Sequence, residues 1–120
     1  MLRPGRNVAI KAPLYKYEET VAFYRDRVGL SVIRTMANST GFGFGELTLW
    51  IDSVPHQSQQ DVWLELFSDA PTEALAQLDS PRRDELEPLE GVIGHWTSDP
   101  AGTVLLVRKG GSESETEREG

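Results

Sequence analysis

The sequence predicts an α+β domain made of two successive modules, each a strand, a helix and several further strands. Three observations predict it. Apolar residues alternate at period two in several short runs, a stripe at helical spacing follows the first run, and the same order of elements is met twice, over about 7–54 and 61–108. At 120 residues the chain is long enough to bury one hydrophobic core, so residues 1–109 are read as a single domain.

"NVAIKAP" (7–13) puts Val8 and Ile10 on one side and Asn7, Ala9 and Lys11 on the other, a half-buried strand stopped by Pro13. In "YKYEETVAFYRDRVGL" the period changes: Tyr17, Val21, Tyr24 and Val28 form one helical stripe. Glu18 and Glu19 favour the positive end of that helix, and Gly29 suits a left-handed residue at its close. "LSVIRTMA" (30–37) reads as the next strand, and "STGFGFGELTLWIDSV" (39–54) as two short strands or one bent one. A phosphate loop would need a helix after its glycines. Leu47, Leu49 and Ile51 instead continue at period two, so Gly41, Gly43 and Gly45 are read as a bend or bulge.

"VPHQSQQ" (54–60) is a polar loop and "DVWLELF" (61–67) an alternating strand. In "SDAPTEALAQLDS" (68–80), Asp69 is positioned to cap a short helix with Pro71 in its first turn and Ala74, Leu75 and Leu78 on one face. "PRRDELEPLEG" (81–91) is charged and weakly structured, with room for one edge strand, and Arg82, Arg83, Asp84 and Glu85 read as a solvated surface. "VIGHWTSDP" and "GTVLLVRK" close the domain as a hairpin around Asp99, Pro100, Ala101 and Gly102.

Composition removes whole classes of function. With no cysteine in the chain, disulfides, thiolate metal sites and cysteine nucleophiles are excluded. No apolar run is long enough to span a bilayer, and "MLRPGRNVAI" lacks the apolar core of a secretory signal, so a cytoplasmic protein is expected. The formal charge is −7, of which "GGSESETEREG" (110–120) carries −3 through four Glu and one Arg. That segment is expected to be a disordered acidic tail. The body is only mildly acidic and has no basic stripe, so neither nucleic acid nor membrane is an expected partner.

The strand faces divide by chemistry. Val8 and Ile10, then Leu47, Leu49 and Ile51, then Val62, Leu64 and Leu66 are aliphatic sets suited to packing under helices. The opposite faces carry Thr48, Trp50 and Asp52, and Trp63, Glu65 and Phe67. Aromatic area with a few polar groups suits a small-molecule cleft, and these six residues are the candidate ligand-binding set. The alternative use for both tryptophans is core or dimer interface.

"YEETVAFYRDRVGLSV" resembles the first helix of the vicinal oxygen chelate superfamily, which includes glyoxalase I, bleomycin-resistance proteins and extradiol dioxygenases. "SDPAGTVLLV" resembles its closing hairpin, and "LWID" and "WLELFSDAPTEALAQL" fit its middle strands and second helix, so the likeness covers about residues 7–108. It implies paired βαβββ modules forming a cupped mixed sheet with helices on the outer face, often completed by a homodimer. In the metal-dependent members four strand positions supply His, Gln or Glu to one divalent ion. Carried over, these fall on Ala9 or Lys11, on Trp50, on Trp63 or (one residue out of register) Val62, and on Leu106. None of these side chains is a ligand for such an ion.

The expectation is therefore a metal-independent protein without cofactor, similar to the bleomycin-resistance branch, that binds an aromatic or cationic small molecule. The alternative is a metal-dependent lyase, isomerase or dioxygenase with a displaced site at Glu65 and His95, the weak catalytic candidates. A module that serves only to dimerise is a third possibility. His56 is read as solvated, Tyr15 as bordering the cup and Tyr17 as core.

Overall fold

A computed structural model describes residues 2–110. The acidic tail from residue 111 onward lies outside the described residues. The fold is α+β, with seven strands in mixed pairing and two helices, and it divides into two compact units. One unit is Asn7–Val62; the other takes the described residues before Asn7 and after Val62.

In the first unit, β1 (Leu2–Pro13) contributes its residues from Asn7 onward. A helical segment follows, then β2 (Val32–Met36), β3 (Ser39–Phe44) and β4 (Leu47–Val54). Here β4 runs parallel to β1, with Ala9 opposite Trp50 and Lys11 opposite Asp52, while β3 lies antiparallel between β4 and β2. This is the complete βαβββ module. Its core is Ala12, Phe42, Leu49 and Ile51, covered by Val8, Ile10, Tyr17, Val21, Tyr24 and Leu30. Val8, Ile10, Leu49 and Ile51 thus meet the helix as the alternation predicts, whereas Leu64 of the third aliphatic set stands 39% exposed. Gly45 makes the β3–β4 turn with φ of 64°, so strand follows strand and no phosphate loop is formed.

The helix changes winding along its length: a 3₁₀ turn over Leu14–Lys16, α1 over Tyr17–Ala22 and a π-helical stretch over Phe23–Val28. Gly29 ends it at φ 87°, its amide donating to the Tyr24 carbonyl oxygen at 3.1 Å. A π turn takes more residues than an α turn. The stripe therefore loses phase after Tyr24, and Val28 stands 50% exposed instead of joining the core.

The second unit holds β5 (Asp61–Ser68) from Trp63 onward, then α2 (Pro71–Leu78), β6 (Gly94–Ser98) and β7 (Val104–Arg108). In it β7 is parallel to β5 and antiparallel to β6. The module is one strand short, because residues 81–91 form no strand. They are tied down all the same: the Arg83 amide donates to the Trp96 carbonyl oxygen at 2.9 Å and the Trp96 indole N–H to the Glu87 carbonyl oxygen at 3.0 Å.

Two local expectations are corrected. Asp69 does not cap α2, whose N-cap is Ala70; Asp69 pairs with Arg3 at 3.3 Å, and the Ala70 amide is taken by Ser68 Oγ at 3.1 Å. The first strand begins at Leu2, not Asn7, and within this opening stretch the Arg6 amide donates to Glu65 Oε1 at 2.8 Å. Among the described residues, no helix is long and apolar enough to cross a membrane.

Candidate functional site

The free face of the first unit carries Asn7, Ala9 and Lys11 from β1 and Thr48, Trp50 and Asp52 from β4, set side by side by the parallel register. Trp50 is 2% exposed. Its indole N–H donates to Asn7 Oδ1 at 2.7 Å, and its six-membered ring lies over Gly41, where a Cβ would come within 3.1 Å. Asp52 is engaged on both carboxylate oxygens: the Lys11 ammonium donates to one at 2.8 Å and Ser39 Oγ to the other at 2.7 Å. The Lys11 side chain is only 3% exposed, so the chain brings its own cation to this face and neutralises it there.

The second unit repeats the theme with other residues. Trp63, Glu65 and Phe67 project from β5, opposite Val104, Leu106 and Arg108 of β7. Trp63 meets Trp96 edge to face at 4.9 Å between ring centres. The Glu65 carboxylate is buried, accepts the Arg6 amide and lies 3.5 Å from the Arg108 guanidinium, which also stands over the Phe67 ring at 5.9 Å. Gly5 permits this approach, since a Cβ there would come within 2.5 Å of the Glu65 carbonyl oxygen.

Of the six candidate ligand-binding residues, five are buried and Thr48 is half-buried. The structure does not bring Glu65 and His95 together. Glu65 is in the cross-strand row of Leu106 and Trp96, whereas His95 is one residue along, on the opposite face. There its Nε2 is 2.9 Å from Thr72 Oγ1 of α2. His56 is exposed in its loop. Tyr17 is core, its hydroxyl 2.8 Å from Thr40 Oγ1, while Tyr15 stands out at the rim of a groove.

Arg108 is a site residue that sequence reasoning passed over, and Lys11, named there only as a possible donor position, is one whose ion pair it missed. Period two puts each of these on a face that could carry an opposite charge, but only the register sets Lys11 beside Asp52 and Arg108 near Glu65.

The register also sharpens the question of a metal ion. If the donor positions of the first module are the cross-strand partners Ala9 and Trp50, the corresponding partner of Leu106 is Glu65, not Trp63. Glu65 is the one carboxylate among these four residues, and the Arg108 guanidinium lies 3.5 Å from it, while Ala9, Trp50 and Leu106 offer hydrocarbon or indole. Among the described residues no three His, Asp or Glu are grouped to hold a metal. These residues do not fit a divalent ion.

Comparison with solved structures identifies the fold. Over 92% of its length the chain superposes on a variant of homoprotocatechuate 2,3-dioxygenase from B. fuscum, with TM-score 0.59 and 16% identity, and it spans 33% of that larger chain. A glyoxalase/bleomycin resistance protein/dioxygenase superfamily member from Vibrio splendidus matches over 91% of this chain and 98% of its own, at TM-score 0.54 and 12% identity. A Legionella pneumophila protein named as NAD-dependent benzaldehyde dehydrogenase matches over 86% and 96%, at TM-score 0.60 and 13% identity. No protein-family model and no curated protein matches the chain. The chain has the vicinal oxygen chelate fold.

Proposed function

We propose that the chain is a metal-independent small-molecule-binding protein of the glyoxalase/bleomycin-resistance type, working in the cytoplasm as a homodimer. The observation that carries this reading is the state of the two carboxylates. Asp52 is bound to Lys11 and Glu65 lies against Arg108, beside donor positions filled by Ala9, Trp50 and Leu106. An ion arriving at either carboxylate would have to displace a cation of the chain itself from a buried pair.

Thr48, Trp50 and Asp52 in one unit, and Trp63, Glu65 and Phe67 in the other, are the surfaces proposed to meet the ligand. Trp50, Trp63 and Phe67 supply aromatic area. With both carboxylates already neutralised, affinity at these faces rests on ring contact more than on ligand charge. Because the faces are buried in the chain alone, a ligand reaches them by displacing neighbouring side chains.

The test is titration with neutral and cationic aromatic compounds, followed by tryptophan fluorescence and melting temperature. Quenching together with a rise in melting temperature is expected. Silence across the panel refutes binding. In parallel, protein dialysed against Ni, Mn, Fe or Zn is expected to retain none at stoichiometric level, and a retained ion lost on Glu65→Gln refutes metal independence. Light scattering reads the oligomeric state.

A further inference from the structure

Away from the tryptophan-bearing faces, the unit Asn7–Val62 has an open groove of about 540 Å³. Its apolar floor includes Ile10 and Ala12 of β1, Tyr24 of the π-helical stretch, and Val62. Tyr15 and Lys16 form one rim, and Ser58, Gln59 and Gln60 form the other. The Tyr15 hydroxyl reaches across to the Ser58 carbonyl oxygen at 3.4 Å. The volume lies in the range of small-molecule sites, roughly 300–1,000 Å³, and an apolar floor with few convergent polar groups is their usual composition.

The charge at this groove is one-sided. Lys16 is the only ionised side chain in its lining, and its ammonium lies 6.0 Å from the Tyr15 ring centre. Its contact with Glu19, at 3.3 Å between two exposed side chains, is of the solvated kind that contributes little, so a ligand anion can replace it. Tyr15 is 69% exposed and presents a ring to whatever enters. Gln59 and Gln60 bring side-chain amides that both donate and accept.

We infer that this groove binds a small flat aromatic molecule bearing one carboxylate. The ring lies on the floor between Tyr15 and Tyr24, and the carboxylate meets Lys16. The inference rests on the small-molecule reading above and deepens it by naming a place that a ligand enters without displacing buried side chains.

The test is calorimetric titration with naphthalene carboxylate, naphthalene methanol and naphthylmethylammonium, against the parent and the variants Lys16→Glu and Tyr15→Ala. Both positions are exposed, so the variants are expected to melt with the parent. The carboxylate is expected to bind the parent more tightly than the alcohol, and Lys16→Glu to weaken it by about tenfold or more, the worth of a charge-assisted hydrogen bond. Tyr15→Ala is expected to weaken all ligands that enter the groove. Carboxylate binding that ignores both substitutions, or that equals alcohol binding, overturns the groove and leaves the proposed function standing. If none of the three naphthalenes binds, the groove is overturned, and the proposed function is judged by the wider panel at the tryptophan faces.

Discussion

Replacing Lys11 with methionine keeps an unbranched stem of similar reach and removes the charge. Asp52 then loses an ammonium donor at 2.8 Å and keeps only Ser39 Oγ at 2.7 Å. Removing one partner of a buried ion pair costs about 3–5 kcal/mol, chiefly because the other charge stays buried. The Asp52 side chain retains 12% exposure and its serine bond, so the lower end, about 3 kcal/mol, applies. For a domain of this size about 1 kcal/mol moves the melting temperature by roughly 4 °C, and Lys11→Met is therefore expected to melt about 12 °C below the parent. Adding Asp52→Asn removes the orphaned charge while leaving Ser39 an acceptor, so the double variant is expected to return to within about 1 kcal/mol of the parent. Urea and thermal unfolding followed by far-ultraviolet circular dichroism read all three proteins. A single variant within about 0.5 kcal/mol of the parent, the size of an ordinary surface change, refutes the assignment of Lys11 as a buried internal cation. A double variant weaker than the single one does the same.

Three further outcomes are expected. Trp96→Ala removes the edge contact with Trp63 and the N–H bond to Glu87, at a cost of about 3–5 kcal/mol, and limited proteolysis is expected to cut residues 81–91 faster; unchanged cleavage would separate that segment from Trp96. Gly5→Ala sets a Cβ 2.5 Å from the Glu65 carbonyl oxygen and 2.6 Å from its Cγ, so backbone must move, and urea unfolding is expected to show a loss of about 1–3 kcal/mol. The Thr103 amide, with those of Ala101 and Gly102, holds the Asp99 carboxyl below its ordinary value. A depressed folded value stabilises above the unfolded carboxylate range and fades as pH falls through it. Asp99→Ala is therefore expected to lower the melting temperature most at neutral pH, with the gap closing in acid; a gap that widens in acid contradicts the turn's geometry.

The strands were legible because their period survives in the sequence: Val8 and Ile10, or Leu49 and Ile51, can face the helix only if the chain is extended. The helix was legible in its stripe up to Tyr24 and in its close at Gly29, but nothing local announces the wider turn between them that rotates Val28 into solvent. Asp69 was misread as a cap because its type fits one, while its actual partner, Arg3, is 66 residues away. The start of β1 was hidden for a similar reason. The contacts that hold an extended chain there, the Glu65 carboxylate on the Arg6 amide and Asp69 on Arg3, come from far along the sequence. At the candidate site, residue types and faces were readable, but pairings were not. Alternation puts Lys11 beside Asp52 only once β1 is known to run parallel to β4, and sequence does not supply that register. His95 illustrates the converse: its type invited chemistry, and one step along the strand sent it to Thr72.

The first strand answers to two owners. Its opening residues belong with Trp63 and those that follow, and the rest belongs with Asn7–Val62. A fragment starting at Asp61 would carry Glu65 without the Arg6 amide that donates to it, and a fragment ending at Val62 would carry that amide without its acceptor. A cut at the chain's midpoint therefore does not separate the two compact units, because the strand that opens one of them continues into the other.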